Sequence, residues 1–143
     1  MSAVPPRIHF VELLSTSGAA GGQFGWRLLG SNNRELGRGS LAAPSVESAA
    51  SLVADLVRRL PDVTVQHLRA PSSDGWSWCV SSDDVEMAHS GRTFRRERES
   101  LDNADNFRLS LPLAHLKFPG AASRLPQARL ASFLTTRTGA VVA

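Results

Sequence analysis

Four histidines, one cysteine and two short charged runs are the parts of this chain that could do chemistry. His9, His67, His89 and His115 stand more than twenty residues apart, and Cys79 is the single cysteine. No ligand pair therefore has the short spacing of a zinc site, and no metal or other cofactor is expected. His67 alternates with Val63 and Val65, which places it on an apolar strand face as a partly buried structural histidine. Cys79 sits between Trp78 and Val80, so strand alternation sends its thiol away from the aromatic face. A thiol there becomes a nucleophile only beside a cation, and nothing in the sequence places one. Gly-x-Ser-x-Gly and the phosphate loop ending in Lys are both absent. The glycines of residues 18–22 run into Gln23 and read as a flexible link. Asp83-Asp84-Val85-Glu86 could gather a cation, but paired aspartates are ordinary turn residues. With no catalytic residue in view, the expectation is a chain that is not an enzyme.

The densest charged run is Arg92-Thr93-Phe94-Arg95-Arg96-Glu97-Arg98-Glu99. Four arginines near a helix start could hold phosphate, aided by the exposed N–H groups. Its acids offset part of that charge, and Arg95 with Glu99 makes an i,i+4 pair, so the run also reads as a solvated helix face. Trp26, Trp76 and Trp78 could stack bases, yet their alternation with apolar neighbours reads as core. Charge is unevenly placed along the chain. Residues 1–116 hold twelve arginines and all thirteen acids, a net of −1, while Lys117, Arg124, Arg129 and Arg137 give residues 117–143 a net of +4. A basic arm can meet nucleic acid or an acidic partner. The candidate interaction residues are Arg92, Arg95, Arg96, Arg98, Lys117, Arg124 and Arg129.

These residues must be carried by elements, and the elements come twice. Gly25-Trp26 returns as Gly75-Trp76 and Leu60-Pro61 as Leu111-Pro112, a period near fifty that marks one supersecondary unit built twice. In the first unit, residues 7–14 and 23–31 read as strands, the second with Phe24, Trp26 and Leu28 on one face. Asn32-Asn33 supplies a tight turn, and residues 34–40 return. Gly37 and Gly39 there suggest an edge, a bulge or a close backbone approach. Ser45 is a suitable N-cap, Glu47 and Arg58-Arg59 suit the helix dipole, and Pro61 stops the helix. Val46, Ala49, Ala50, Val53, Leu56, Val57 and Leu60 form its apolar stripe.

The second unit repeats the order, with a strand at residues 63–67, a strand from Trp76, a turn at Asp83-Asp84 and a return strand over 85–92. Moving on by fifty-one residues, Ala50, Val53, Leu56 and Leu60 map onto Leu101, Ala104, Phe107 and Leu111, whereas Val46, Ala49 and Val57 map onto Glu97, Ser100 and Arg108. The second helix should therefore be narrower on its apolar side. A closing strand is expected at residues 113–118 and a short helix at 126–134. The divergence points to the second helix and the basic arm after it as the place for a specific function.

The stretch FGWRLLGSNN, followed by a short Gly/Ser segment and a helix opening SVESAASLV, resembles the YegP-like domain family, a family of unknown function in which tandem copies are common. The likeness covers residues 23–60 best. Arg38-Gly39-Ser40-Leu41 and Ala43-Pro44 depart from its usual wording before the helix. The resemblance implies an architecture and dimerisation, and it supplies no active-site residues.

The expected fold class is α+β: two tandem β-β-β-α units, residues 1–61 and 62–118, with antiparallel sheets and helices packed on one face. A C-terminal strand follows, and residues 119–143 form a basic, flexible arm. The 143 residues suit one domain or two half-domains sharing a core, and 42% apolar with 20% charged content is that of a soluble globular protein. No apolar run has the roughly 20 residues of a membrane span. MSAVPPRIHF lacks the pattern of a secretory signal, so a cytoplasmic location is expected. Two functions compete. One is a non-catalytic protein–protein interaction or scaffold module, a homodimer in which residues 34–40 pair across a two-fold axis. The other is a nucleic-acid-binding protein using the arm and the Arg92–Arg98 run.

Overall fold

The computed structural model describes residues 5–13, 23–69 and 75–117. The loop expected at 15–22, all but Gly75 of the loop expected at 70–75, the helix expected at 126–134 and the arm with Arg124, Arg129 and Arg137 lie outside them. Strands β1 (Arg7–Leu13), β2 (Gln23–Leu29) and β3 (Glu35–Gly39) precede helix α1 (Val46–Arg59). Strands β4 (Thr64–Arg69), β5 (Trp76–Ser82) and β6 (Val85–His89) precede helix α2 (Glu97–Ser110), and β7 (His115–Lys117) is the last described element. The fold is α+β, with each unit contributing three strands and one helix.

The two units do not build separate sheets. They share one seven-stranded sheet in the order β4-β5-β6-β3-β2-β1-β7, joined where β3 meets β6. Every pairing is antiparallel except β1 with β7, which is parallel. β3 is therefore interior, bonded on both sides, and the edge pairing expected of residues 34–40 is excluded by β2 and β6. Its glycines are there for close approach. A Cβ on Gly37 would lie 2.7 Å from both Phe107 and Trp78, and one on Gly39 would collide with the Trp26 indole.

The turns follow their residues. Asn33 has φ 66°, in a turn closed by its N–H donating to the Gly30 carbonyl. Asp83 and Asp84 have φ 51° and 64°, the two-residue hairpin geometry that matches strand twist.

Both helices pack on the face that carries Ile8, Phe10, Trp26, Leu28, Trp78, Val80 and Ala88. Ser45 caps α1, its Oγ accepting from the Ser48 N–H at 3.1 Å. α1 buries Ala49, Ala50, Val53, Ala54 and Leu56. α2 has no side-chain cap and buries only Ser100, Ala104 and Phe107. Leu101 is 37% exposed. It lies one step of about 100° off the stripe that Ser100, Ala104, Phe107 and Leu111 form, so the expected apolar set was wrong at that position. Phe107 is the hub of the core, stacked on Trp26 at 6.2 Å and tilted against Trp78 at 4.8 Å.

That packing also corrects the repeat register. Phe24 bridges Ala43 and Trp76 bridges Phe94, so Trp76 is the counterpart of Phe24. Trp78 is the counterpart of Trp26, and the Gly-Trp identity is two residues out of structural register. His67, expected on a half-buried face, is exposed, because β4 is the edge strand farthest from α1. The closing strand begins at His115 and not at residue 113, because Leu111–Leu113 turn as a 3₁₀ helix around Pro112.

Candidate functional site: the open face of the sheet

Alternation that sends the aromatic residues toward the helices sends their neighbours to the other face. No helix or strand among the described residues covers that face. One row of directly paired residues crosses all seven strands there: Lys117, His9, Arg27, Arg38, His89, Cys79 and Gln66. At about 4.8 Å per strand, Lys117 to Arg38 spans roughly 14 Å. Arg7 lies two residues from His9 on the same face of β1. The row is graded, cationic at the β7 end and neutral at the β4 end. The counterparts of His9, Arg27 and Arg38 in the second unit are Gln66, Cys79 and His89.

The cationic half is only partly neutralised. Glu35 binds Arg38 through both oxygens, with three N–H···O contacts of 2.8–3.0 Å, and lies 3.7 Å from Arg27. The Arg27 and Arg38 side chains remain 43% and 46% exposed. Arg7 Nη1, His9 Nε2 and Arg27 Nε are buried with no hydrogen-bond partner. Buried polar atoms without partners are costly, and these three belong to neighbouring side chains on one face. Burial, then the charges of Arg7, Arg27 and Lys117, holds His9 below the usual histidine pKa.

The neutral half holds the one constellation with the look of catalysis. Ser40 Oγ lies 2.9 Å from His89 Nδ1 and donates to Glu86 at 2.5 Å. Glu86 also approaches the same His89 nitrogen, at 3.7 Å. A nucleophilic triad needs the imidazole between hydroxyl and carboxylate, one ring nitrogen to each. Here the hydroxyl proton goes to the carboxylate and both groups meet Nδ1. Cys79 pairs with His89 across the strands, but it is 5% exposed. Burial, reinforced by Glu86, raises its thiol pKa, which disfavours the thiolate. Its Sγ–H points to Gln66 Oε1 at 3.6 Å. Among the described residues, no group of three His, Cys, Asp or Glu side chains is placed to hold a metal ion.

No protein-family model, curated protein or solved structure matches this chain. What the face can do is therefore read from its own side chains.

Of the residues singled out in the sequence, Lys117 lies in the row. Arg92 lies beside it, its guanidinium 4.6 Å from the centre of the Phe94 ring. Arg95, Arg96 and Arg98 are exposed around the start of α2, away from the row. Arg95 makes no pair with Glu99, since it precedes the helix that would have set the i,i+4 spacing. Arg124 and Arg129 lie outside the described residues. Sequence reading missed Arg7, Arg27 and Arg38, and weighed His9 only as a metal ligand. Their signal was the polar half of the alternation whose apolar half located the core. The row's charge comes from the first unit and from Lys117, the first residue of the basic stretch 117–143, whereas divergence had pointed to the second unit's helix and the basic arm after it.

Proposed function

We propose that this chain is a non-catalytic binding module whose open sheet face docks the phosphate backbone of a nucleic acid. The carrying observation is the cationic row from Lys117 through His9 and Arg27 to Arg38, on a face that no helix among the described residues covers. Two features favour a polyanion over a protein partner. Protein interfaces centre on apolar and aromatic groups with charge at the rim, but this face centres on arginines, and Trp26, Trp78 and Phe107 lie in the core on the other side. Lys117 is also followed by residues 118–143, which hold three more arginines and no acid. With no tryptophan, tyrosine or phenylalanine in the row, contacts go mainly to phosphates, so binding is largely indifferent to sequence. A cytoplasmic setting belongs to the same proposal, and no described helix is long and apolar enough to cross a membrane.

The test is fluorescence anisotropy with labelled mixed-sequence strands at low salt. Binding that weakens steeply with salt and is lost in R27E/K117E is expected. No binding to DNA or RNA at low salt would remove the proposal.

Self-association is the second reading, moved from β3 to β4. β7 occupies the position beside β1, and no strand among the described residues occupies the matching position beside β4. An open edge invites pairing with a second copy. Light scattering at high concentration should then give a dimer, and a strict monomer counts against it.

A further inference from the structure

We infer that the cavity where the two units join, lined by Arg34, Glu35, Arg38, Gly91 and Arg92, is a binding site for a phosphomonoester dianion. Its volume is about 440 Å³, in the range of small-molecule sites. It opens beside the β3–β6 seam, between the start of β3 and the loop after β6, so neither unit alone forms it.

Charge counting sets the ligand class. Arg38 is engaged by Glu35 through both carboxylate oxygens. That carboxylate is seated over Gly91, where a Cβ would collide with it. Arg34 and Arg92 have no acidic partner among the described residues. Both are exposed, and the Arg92 guanidinium is steadied over Phe94. The cavity thus offers two uncompensated guanidinium groups, each with paired N–H donors suited to phosphate oxygens. A dianion balances them, whereas a carboxylate or phosphodiester balances one. The neighbouring Glu35 makes the match selective, because it already satisfies the third arginine.

The site goes beyond the backbone-binding reading and stands without it, since Arg34 and Arg92 are not in the row. Its ligand could be a free sugar phosphate or the terminal phosphate of a nucleic acid. The chemistry is shared, and the test separates the sources.

The experiment is calorimetric titration of the full chain with inorganic phosphate and with ribose 5-phosphate at low salt. Saturable binding is expected, with R34Q and R92Q each weakening it by about tenfold, the effect of losing one charge-assisted pair. Both side chains are exposed, so these variants should fold. E35Q releases Arg38 and should tighten binding. R58Q, on the last turn of α1, should leave it unchanged. A 5′-phosphorylated strand that binds tighter than its 5′-hydroxyl twin assigns the site to nucleic-acid ends, and equal binding assigns it to small phosphate esters. No saturation up to about 10 mM phosphate, a free energy too weak to matter, overturns the proposal. So does wild-type affinity in both R34Q and R92Q.

Discussion

Single residues carry the sharpest consequences of this packing. Phe107 is fully buried between two tryptophans. Its replacement by alanine should cost about 3–5 kcal/mol, read as a lower urea midpoint. Ser100 is equally buried, with an Oγ that has no partner. Ser100→Ala removes a hydroxyl whose desolvation is uncompensated, so stability should rise by about 1 kcal/mol. A clear loss in the same urea series would mean that the hydroxyl has a partner. His9 brings a pH dependence. Its pKa in the folded chain lies below the ordinary 6.5, so the unfolded chain takes up the proton first as pH falls. Stability attached to His9 is therefore present above pH 6.5 and lost as pH drops through the folded value. Urea midpoints taken from about pH 7.5 to about pH 5.5 should fall, and H9Q should flatten that fall.

Among the elements, β3 shows what a sequence can and cannot convey. Its two glycines were legible as a departure from ordinary strand composition, and close approach was among their readings. Whether the strand was an edge was not legible, because edge status depends on β6, forty-six residues further on, arriving at its side. Gly37→Ala should cost about 1–3 kcal/mol by overpacking against Phe107 and Trp78, whereas the same change in an exposed edge strand would be nearly neutral. α1 was legible almost to the residue, since its cap, dipole charges, stripe and terminating proline all agree. α2 was less so. With Arg96 in place of a capping serine and four apolar positions where α1 has seven, its stripe could be set at Leu101 or Ser100, and only packing against Trp78 decides. The repeat was legible in its element order. Its Gly-Trp anchor misaligned β2 and β5 because Trp76 and Trp78 are equally good matches to Trp26 until Phe107 is placed between the helices and the sheet.

For the whole molecule, the seam between β3 and β6 creates the properties that no single unit has. It aligns seven residues into one row and encloses the cavity around Arg34 and Arg92. The sheet face shows a surplus of arginine and lysine, while in the opposite layer the acids of α2 stand among Arg95, Arg96, Arg98 and Arg108 and those of α1 beside Arg58 and Arg59, so the positive excess of a nearly neutral body lies on the sheet face. That placement was invisible to a count of charges along the chain, which located positive charge only after residue 116. It needed the strand register, which is a long-range property. The measurement that bears most directly on a phosphate-binding face is the salt dependence of affinity for a single strand. Each phosphate contact adds about −0.7 to the slope of log affinity against log salt. Wild type should show a steep slope, and Arg7, Arg27 and Lys117 changed together to glutamine should make it shallower by about 2. An unchanged slope in that triple variant, with affinity intact, would contradict a nucleic-acid interface on the open face of the sheet.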